Sequence, residues 1–222
     1  MKKVTVILGV MSLFLGLLGF SGLDYVQAAQ ADKASDARTQ PEISFCGPWQ
    51  KGSSKIPRHA DFPLFAIPIP NILSRSGQPT LTGFRWLKNN GWKSVVDLRM
   101  SGEGGPVSND SRIPGFKELN FHYLPLSITD GAVPSDAQAQ EFLKFMKDPN
   151  NQPAHVHCRA GIGRTGVMLA LYRFAIQGWP MEKAIQESRL FSGGVNELQK
   201  RWLEQWAQNH KSEKNIFSEM RR

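Results

Sequence analysis

The stretch Ala154-His155-Val156-His157-Cys158-Arg159-Ala160-Gly161-Ile162-Gly163-Arg164-Thr165-Gly166-Val167 decides the fold. Ala154 to His157 predicts a strand, and Val167, Leu171 and Phe174 recur at helical spacing in a helix that ends near Gly178. Between them the chain turns through two glycines. A strand that opens through a tight turn into a helix N-terminus presents converging backbone N–H groups, which is what an oxyanion needs. Gly161 and Gly163 let the main chain curl around the anion where a Cβ would clash or force a strained φ. Arg164 can grip two oxygens in a fork. Cys158 lies at the floor of this cradle, where the helix end, the amides and Arg164 all favour thiolate over thiol. The predicted anion loop is thus Arg159, Ala160, Gly161, Ile162, Gly163 and Arg164, with Thr165 placed to donate its hydroxyl to the sulfur.

A cysteine six positions before an arginine is a weak signal alone, and a buried inert cysteine beside a capping turn is its bland explanation. His157, the two glycines, Thr165 and the strand-to-helix setting together make it strong.

Working outward, helical and extended signals alternate at spacings suited to α/β architecture. Asn71 to Ser74 predicts a short strand, and Leu81 to Asn89 a helix that follows Pro79-Thr80 and stops at Gly91. Val95, Val96 and Leu98 make Ser94 to Leu98 a buried strand. Phe121, Tyr123 and Pro125 alternate in another, which opens into a loop around Asp130. Ser135 with Gln138, and Asn196 with Gln199, read as capping boxes. The first heads a helix through Phe142, Leu143 and Met146 to Lys147, the second one with Leu198, Trp202, Leu203 and Trp206. Pro180 opens a further helix carrying Ala184, Ile185 and Leu190. The run Phe62 to Pro70 is broken by three prolines and predicts an extended segment across a surface, not a central strand.

The ten residues His157 to Gly166 resemble the signature of the cysteine-dependent protein tyrosine and dual-specificity phosphatases. Ser74-Arg75-Ser76-Gly77-Gln78-Pro79 and Gly91-Trp92-Lys93-Ser94-Val95-Val96-Asp97-Leu98-Arg99 look like upstream segments of the compact, atypical dual-specificity branch. The resemblance implies an α/β fold with a central, largely parallel sheet flanked by helices, a metal-free and cofactor-free reaction, and a phosphocysteine intermediate. It implies an aspartate acid on a loop well before the cysteine. The chain has no obvious Trp-Pro-Asp triplet, the acid loop of the larger tyrosine-specific branch.

An ester oxygen leaves poorly unless protonated, so a positioned acid is required. Asp130 follows the right strand within Ser127-Ile128-Thr129-Asp130-Gly131-Ala132-Val133-Pro134 and is preferred over Asp136, which complements a helix dipole. Asp97 is read as holding Arg99 or the loop in place, and Glu103 as a solvated loop charge. His155 and His157 share one strand face, but no further ligand follows at metal spacing. His157 is expected to hydrogen-bond around the cysteine and His155 to be structural.

Substrate clues diverge. Arg159 at the first variable loop position is reminiscent of phosphoinositide phosphatases, Ile162 of protein tyrosine phosphatases. The expected substrate is a phosphorylated protein, with a phosphoinositide or inositol polyphosphate as the alternative. A non-catalytic phosphate-binding module and a sulfurtransferase are the remaining rivals.

Residues 1–28 have a charged start at Lys2 and Lys3, an apolar run from Val4 to Phe20 and small residues before a cut after Ala28, which predicts a signal peptide. Export follows, to the periplasm or outside the cell, with no stable membrane span after cleavage. Residues 29–60 read as a weakly ordered leader, 61–212 as one phosphatase domain and 213–222 as a tail. Lys+Arg 27 against Asp+Glu 19 gives +8, or +7 once Lys2, Lys3 and Asp24 are removed. A basic surface suits anionic ligands in general; no nucleic-acid partner is expected. Cys46 and Cys158 are too few for a disulfide-held scaffold, so burial must hold the core; in an oxidising compartment the two could pair and mask the nucleophile if the fold brings them within reach, but a solitary Cys46 without a role is the plainer reading.

Overall fold

Consecutive valines in Ser94–Asp97 call for cover on both faces, and the computed structural model places this strand, with Ala154–His157 beside it, inside one five-stranded sheet. The structure describes residues 59–103 and 115–210. The signal peptide, nearly all of the leader, Cys46 and the tail lie outside the described residues.

In chain order the elements are β1 (Ala66–Ile69), β2 (Leu73–Ser76), α1 (Leu81–Asn89), β3 (Ser94–Asp97), β4 (His122–Pro125), α2 (Asp136–Lys147), β5 (Ala154–His157), α3 (Gly163–Ala175), α4 (Met181–Ser188) and α5 (Glu197–Asn209). The sheet order is β1-β2-β5-β3-β4. Only β1 runs antiparallel to its neighbour; β2, β5, β3 and β4 are mutually parallel.

The apolar run with its prolines forms the edge strand β1. It is extended and not central, as expected, but Phe62, Ala66, Ile67 and Ile69 are buried instead of lying on a surface. Proline lacks the donor that an inner strand needs, which fits an edge position. β2 begins two residues later than the sequence suggests, because Asn71 turns with φ 63 between β1 and β2. Pro180 caps α4 with an extended ψ and is not its first helical residue, and Leu190 lies past the end of that helix, half exposed.

Strand alternation sorts the core into two clusters. Leu73, Val96, Leu124, Ala154 and Val156 pack with α2, α3, α4 and α5. Val95 packs with Phe84 and Leu87 of α1 and with Trp92 just after it. His155 and His157 point to this second side, where their rings approach Phe62 and Phe84, with centroids 5.7 Å apart in each case. α3 is buried along nearly its whole length, and its Arg173 is neutralised by Glu187 at 2.5 and 2.9 Å. No helix among the described residues is long and apolar enough to cross a membrane.

Register fixes what the sheet presents. Ser76 pairs with His157, His157 with Asp97 and Asp97 with Pro125, so the four parallel strands end level with one another. The loops that follow them therefore open at one edge, the carboxyl edge where parallel sheets bind ligands.

Candidate active site

Four loops meet at that edge: Gly77-Gln78 after β2, the segment from Leu98 to Glu103 after β3, the segment from Leu126 to Asp130 after β4, and the loop from Cys158 to Gly163 after β5. The last two carry the predicted residues Asp130 and Cys158.

The loop after β5 turns as its glycines require. Gly161 has φ +75, and a Cβ there would collide with the backbone of Ser76 and Gly77. Its N–H donates to Cys158 Sγ at 3.2 Å. Cys158 carries a free thiol and is 2% exposed. No side chain caps the start of α3, so the first-turn amides remain available to an anion. Thr165 departs from expectation: its Oγ1 is buried without a hydrogen-bond partner among the described residues, while the sulfur takes the Gly161 amide.

Arg164 is buried in the first turn of α3 and reaches across to two other loops. Nη1 donates to Ile128 O at 2.9 Å and to Glu103 Oε2 at 2.6 Å. Nη2 lies 3.0 Å from Asp130 Oδ1, an ion-pair distance without hydrogen-bond alignment. Glu103, read from sequence as a solvated charge, is thus a site residue with a side chain only 19% exposed. Its signal was positional: it follows the strand whose end is level with the cysteine. Asp130, the expected acid, lies beside Arg164 with its side chain 74% exposed.

The loop that carries Asp130 is bracketed by the two capping boxes. Gln138, heading α2, donates to Ser127 O at 2.8 Å; Gln199, heading α5, donates to Ala132 O at 2.9 Å. Asn196 donates to Gly131 O at 2.9 Å. Sequence patterning identified both boxes as helix starts and missed their second contacts, which depend on tertiary packing.

Behind the loop, Asp97 accepts from Arg99 Nε at 2.9 Å, Nη2 at 2.7 Å and the Arg99 amide at 3.0 Å, and also from Tyr123 Oη at 3.1 Å. Burial would raise its carboxyl, but His157 when protonated, together with the Arg99 charge and hydrogen bonds, holds it below the usual range. Burial, then the Asp97 charge, drives the Tyr123 phenol upward. His157 Nδ1 sits 3.4 Å from Cys158 O and 3.8 Å from Asp97 Oδ1. Burial pushes His157 down to about 4, against the pull of Asp97. It is therefore a neutral ring at neutral pH, supporting the cysteine's backbone and not its sulfur. His155 is structural, held between Ser74 Oγ at 2.8 Å and Ser76 Oγ at 2.9 Å, and burial holds it well below its ordinary value.

Arg159 and Ala160 are exposed at the rim, and Ile162 is half-buried.

The family model described as "DSP-PTPase phosphatase fused to NAD+ Kinase" matches residues 69–208. A probable chloroplastic NAD kinase 2 of Oryza sativa subsp. japonica is 29% identical over 103 residues, covering 45% of this chain and 10% of that protein. The dual specificity protein phosphatase CDC14A of Mus musculus is 39% identical over 114 residues, covering 50% of this chain and 17% of that protein. The chain therefore spans a small part of the length of these relatives. The core catalytic domain of the PP-IP phosphatase SIW14 from S. cerevisiae superposes with a TM-score of 0.54 at 22% identity, covering 68% of this chain and 87% of that one, which shows the shared fold.

Proposed function

Since the chain belongs to the dual-specificity phosphatase family whose model it matches, we propose that it hydrolyses phosphate monoesters through a phosphocysteine, acting on phosphorylated proteins. The observation that carries this is the convergence on one loop of a buried thiol bonded to the Gly161 amide, the uncapped start of α3 and an Arg164 flanked by two carboxylates.

The steps follow from the geometry. A phosphoryl group seated in the loop places phosphorus above Cys158 Sγ, with the amides and Arg164 on its equatorial oxygens. The thiolate forms an S–P bond as the P–O bond to the leaving group breaks. Asp130, as the acid, gives its proton to the departing oxygen. In the second step water attacks phosphorus, Asp130 takes the water's proton, and the S–P bond breaks to release inorganic phosphate and thiolate. A phosphate dianion competes with the Asp130 carboxylate for Arg164, so substrate binding releases Asp130, which takes a proton from solvent and turns toward the leaving oxygen. Its exposed loop leaves room for that movement.

A second reading, an inositol polyphosphate or phosphoinositide as substrate, is supported by the exposed Arg159 at the loop rim and by the likeness in fold to a structure named a PP-IP phosphatase. Turnover of a panel of phosphopeptides and inositol phosphates by wild type and Arg159→Ala separates the two. A loss in Arg159→Ala confined to the polyphosphates favours the second reading; equal turnover by wild type and Cys158→Ser on every member contradicts both.

The signal peptide over residues 1–28 and export to the periplasm or beyond belong to the same proposal, supported by the charged, apolar and small-residue order of that segment. The N-terminus of the mature protein, read by mass spectrometry, checks it: a start at Ala29 agrees and a retained Met1 does not.

A further inference from the structure

Arg75, in β2, is fully buried and carries its charge into the layer beneath the loop. Its guanidinium lies over Phe191, with Cζ 3.7 Å from the ring centroid. Nη2 donates to the carbonyl of Gly161, while Nε and Nη1 are buried without a hydrogen-bond partner among the described residues. Burial pushes this arginine down to about 10, opposed by Cys158 and Glu187. Leaving two guanidinium nitrogens unmet in a core is costly, and an apolar side chain of similar length would avoid the cost. What such a side chain could not do is hold the Gly161 carbonyl.

That carbonyl matters because a trans peptide carries its C=O and N–H on opposite sides. Drawing Gly161 O toward β2 turns the N–H of Ile162 the other way. The same device operates one step earlier: the Gln78 amide donates to Arg159 O at 3.0 Å, which turns the Ala160 N–H away from β2. Between them the Gly161 N–H is already bonded to Cys158 Sγ. A loop that cradles an anion needs its carbonyls outside and its amides inside. β2 and the turn after it supply the outer partners.

We infer that Arg75, seated on Phe191, is a positioning residue that sets the Gly161–Ile162 peptide plane so that the Ile162 N–H faces the phosphoryl group. It touches no substrate atom. The inference rests on the phosphatase reading of the loop.

The test uses the full chain, with inorganic phosphate as the probe. In wild type, phosphate inhibits turnover of an aryl phosphate and moves the Ile162 amide resonance. Arg75→Met that still unfolds cooperatively shows phosphate inhibition weakened at least about tenfold, with an Ile162 amide that no longer responds. Arg75→Lys recovers part of both, because its ammonium can donate to Gly161 O. A folded Arg75→Met with wild-type inhibition and a wild-type Ile162 response overturns the inference. Should Arg75→Met fail to fold, Phe191→Leu carries the test: removing the platform weakens phosphate inhibition several-fold, and unchanged inhibition overturns the inference. A wild type that neither turns over aryl phosphate nor binds phosphate takes down the phosphatase reading along with this one; an active wild type with an indifferent Arg75→Met takes down this one alone.

Discussion

Glu103 Oε2 lies 2.6 Å from Arg164 Nη1, so an acid from the loop after β3 steers the guanidinium that heads the helix after the Cys158 loop. Asp130 approaches the other end of the same guanidinium from the loop after β4. The two carboxylates differ in exposure, 19% against 74%, and this assigns them different tasks. In the proposed reaction the sheltered one holds Arg164 in place and the exposed one is free to meet the leaving group.

This difference separates two variants. Glu103→Gln lowers kcat/KM about tenfold whatever the leaving group, because it loosens Arg164 in every substrate complex. Asp130→Asn costs about tenfold with a nitrophenyl leaving group and about 100-fold or more with an alkyl one, because only the poor leaving group needs its proton. Rates over a leaving-group series check this. A steeper dependence in Glu103→Gln than in Asp130→Asn exchanges the roles.

The helix cap of α5 has two duties that substitution can divide. In Asn196→Asp a carboxylate still accepts from the Gln199 amide, so stability holds, but the donor to Gly131 O is gone. Gln199→Glu likewise keeps the acceptor for the Asn196 amide and loses the donor to Ala132 O. Both variants keep their thermal midpoint and lose kcat several-fold through a looser acid loop. Asn196→Ala loses about 1 kcal/mol of stability as well. If all three lose stability and none loses kcat, the cap is only a cap.

Stability falls with acid through the buried imidazoles. Burial pushes His157 from 6.5 down to about 4 in the folded protein, and holds His155 well below its ordinary value too. A depressed folded value means the unfolded chain binds the extra proton, so the contribution is complete above about pH 6.5 and is lost as pH falls toward 4. For His157 alone the span is on the order of 3 kcal/mol. Urea midpoints measured from pH 8 to pH 4 should fall steeply below pH 6.5, and His157→Asn should flatten that fall. A flat profile in wild type contradicts the burial argument.

The sequence disclosed most of the fold and the centre of the site because both rest on local patterns. Consecutive valines marked β3, the two capping boxes fixed α2 and α5, and the glycine turn after His157 located the anion loop. Glu103 and Arg75 were harder to read, since their roles depend on strand register: Asp97 must end level with His157, and Arg75 must lie beside Val156, before either side chain can reach the loop. Thr165 shows the reverse. Its place after Arg164 suggested a bond to sulfur, but the chain curls so that the Gly161 amide is the group that bonds it.

Quenching the enzyme in acid during turnover of an aryl phosphate, then weighing and mapping the intact protein, addresses the central claim most directly. Asp130→Asn, slowed in the water step, should accumulate one phosphoryl group on Cys158, and Cys158→Ser should carry none and turn over no substrate. A phosphoryl group on any other residue, or turnover that persists in Cys158→Ser, would contradict it.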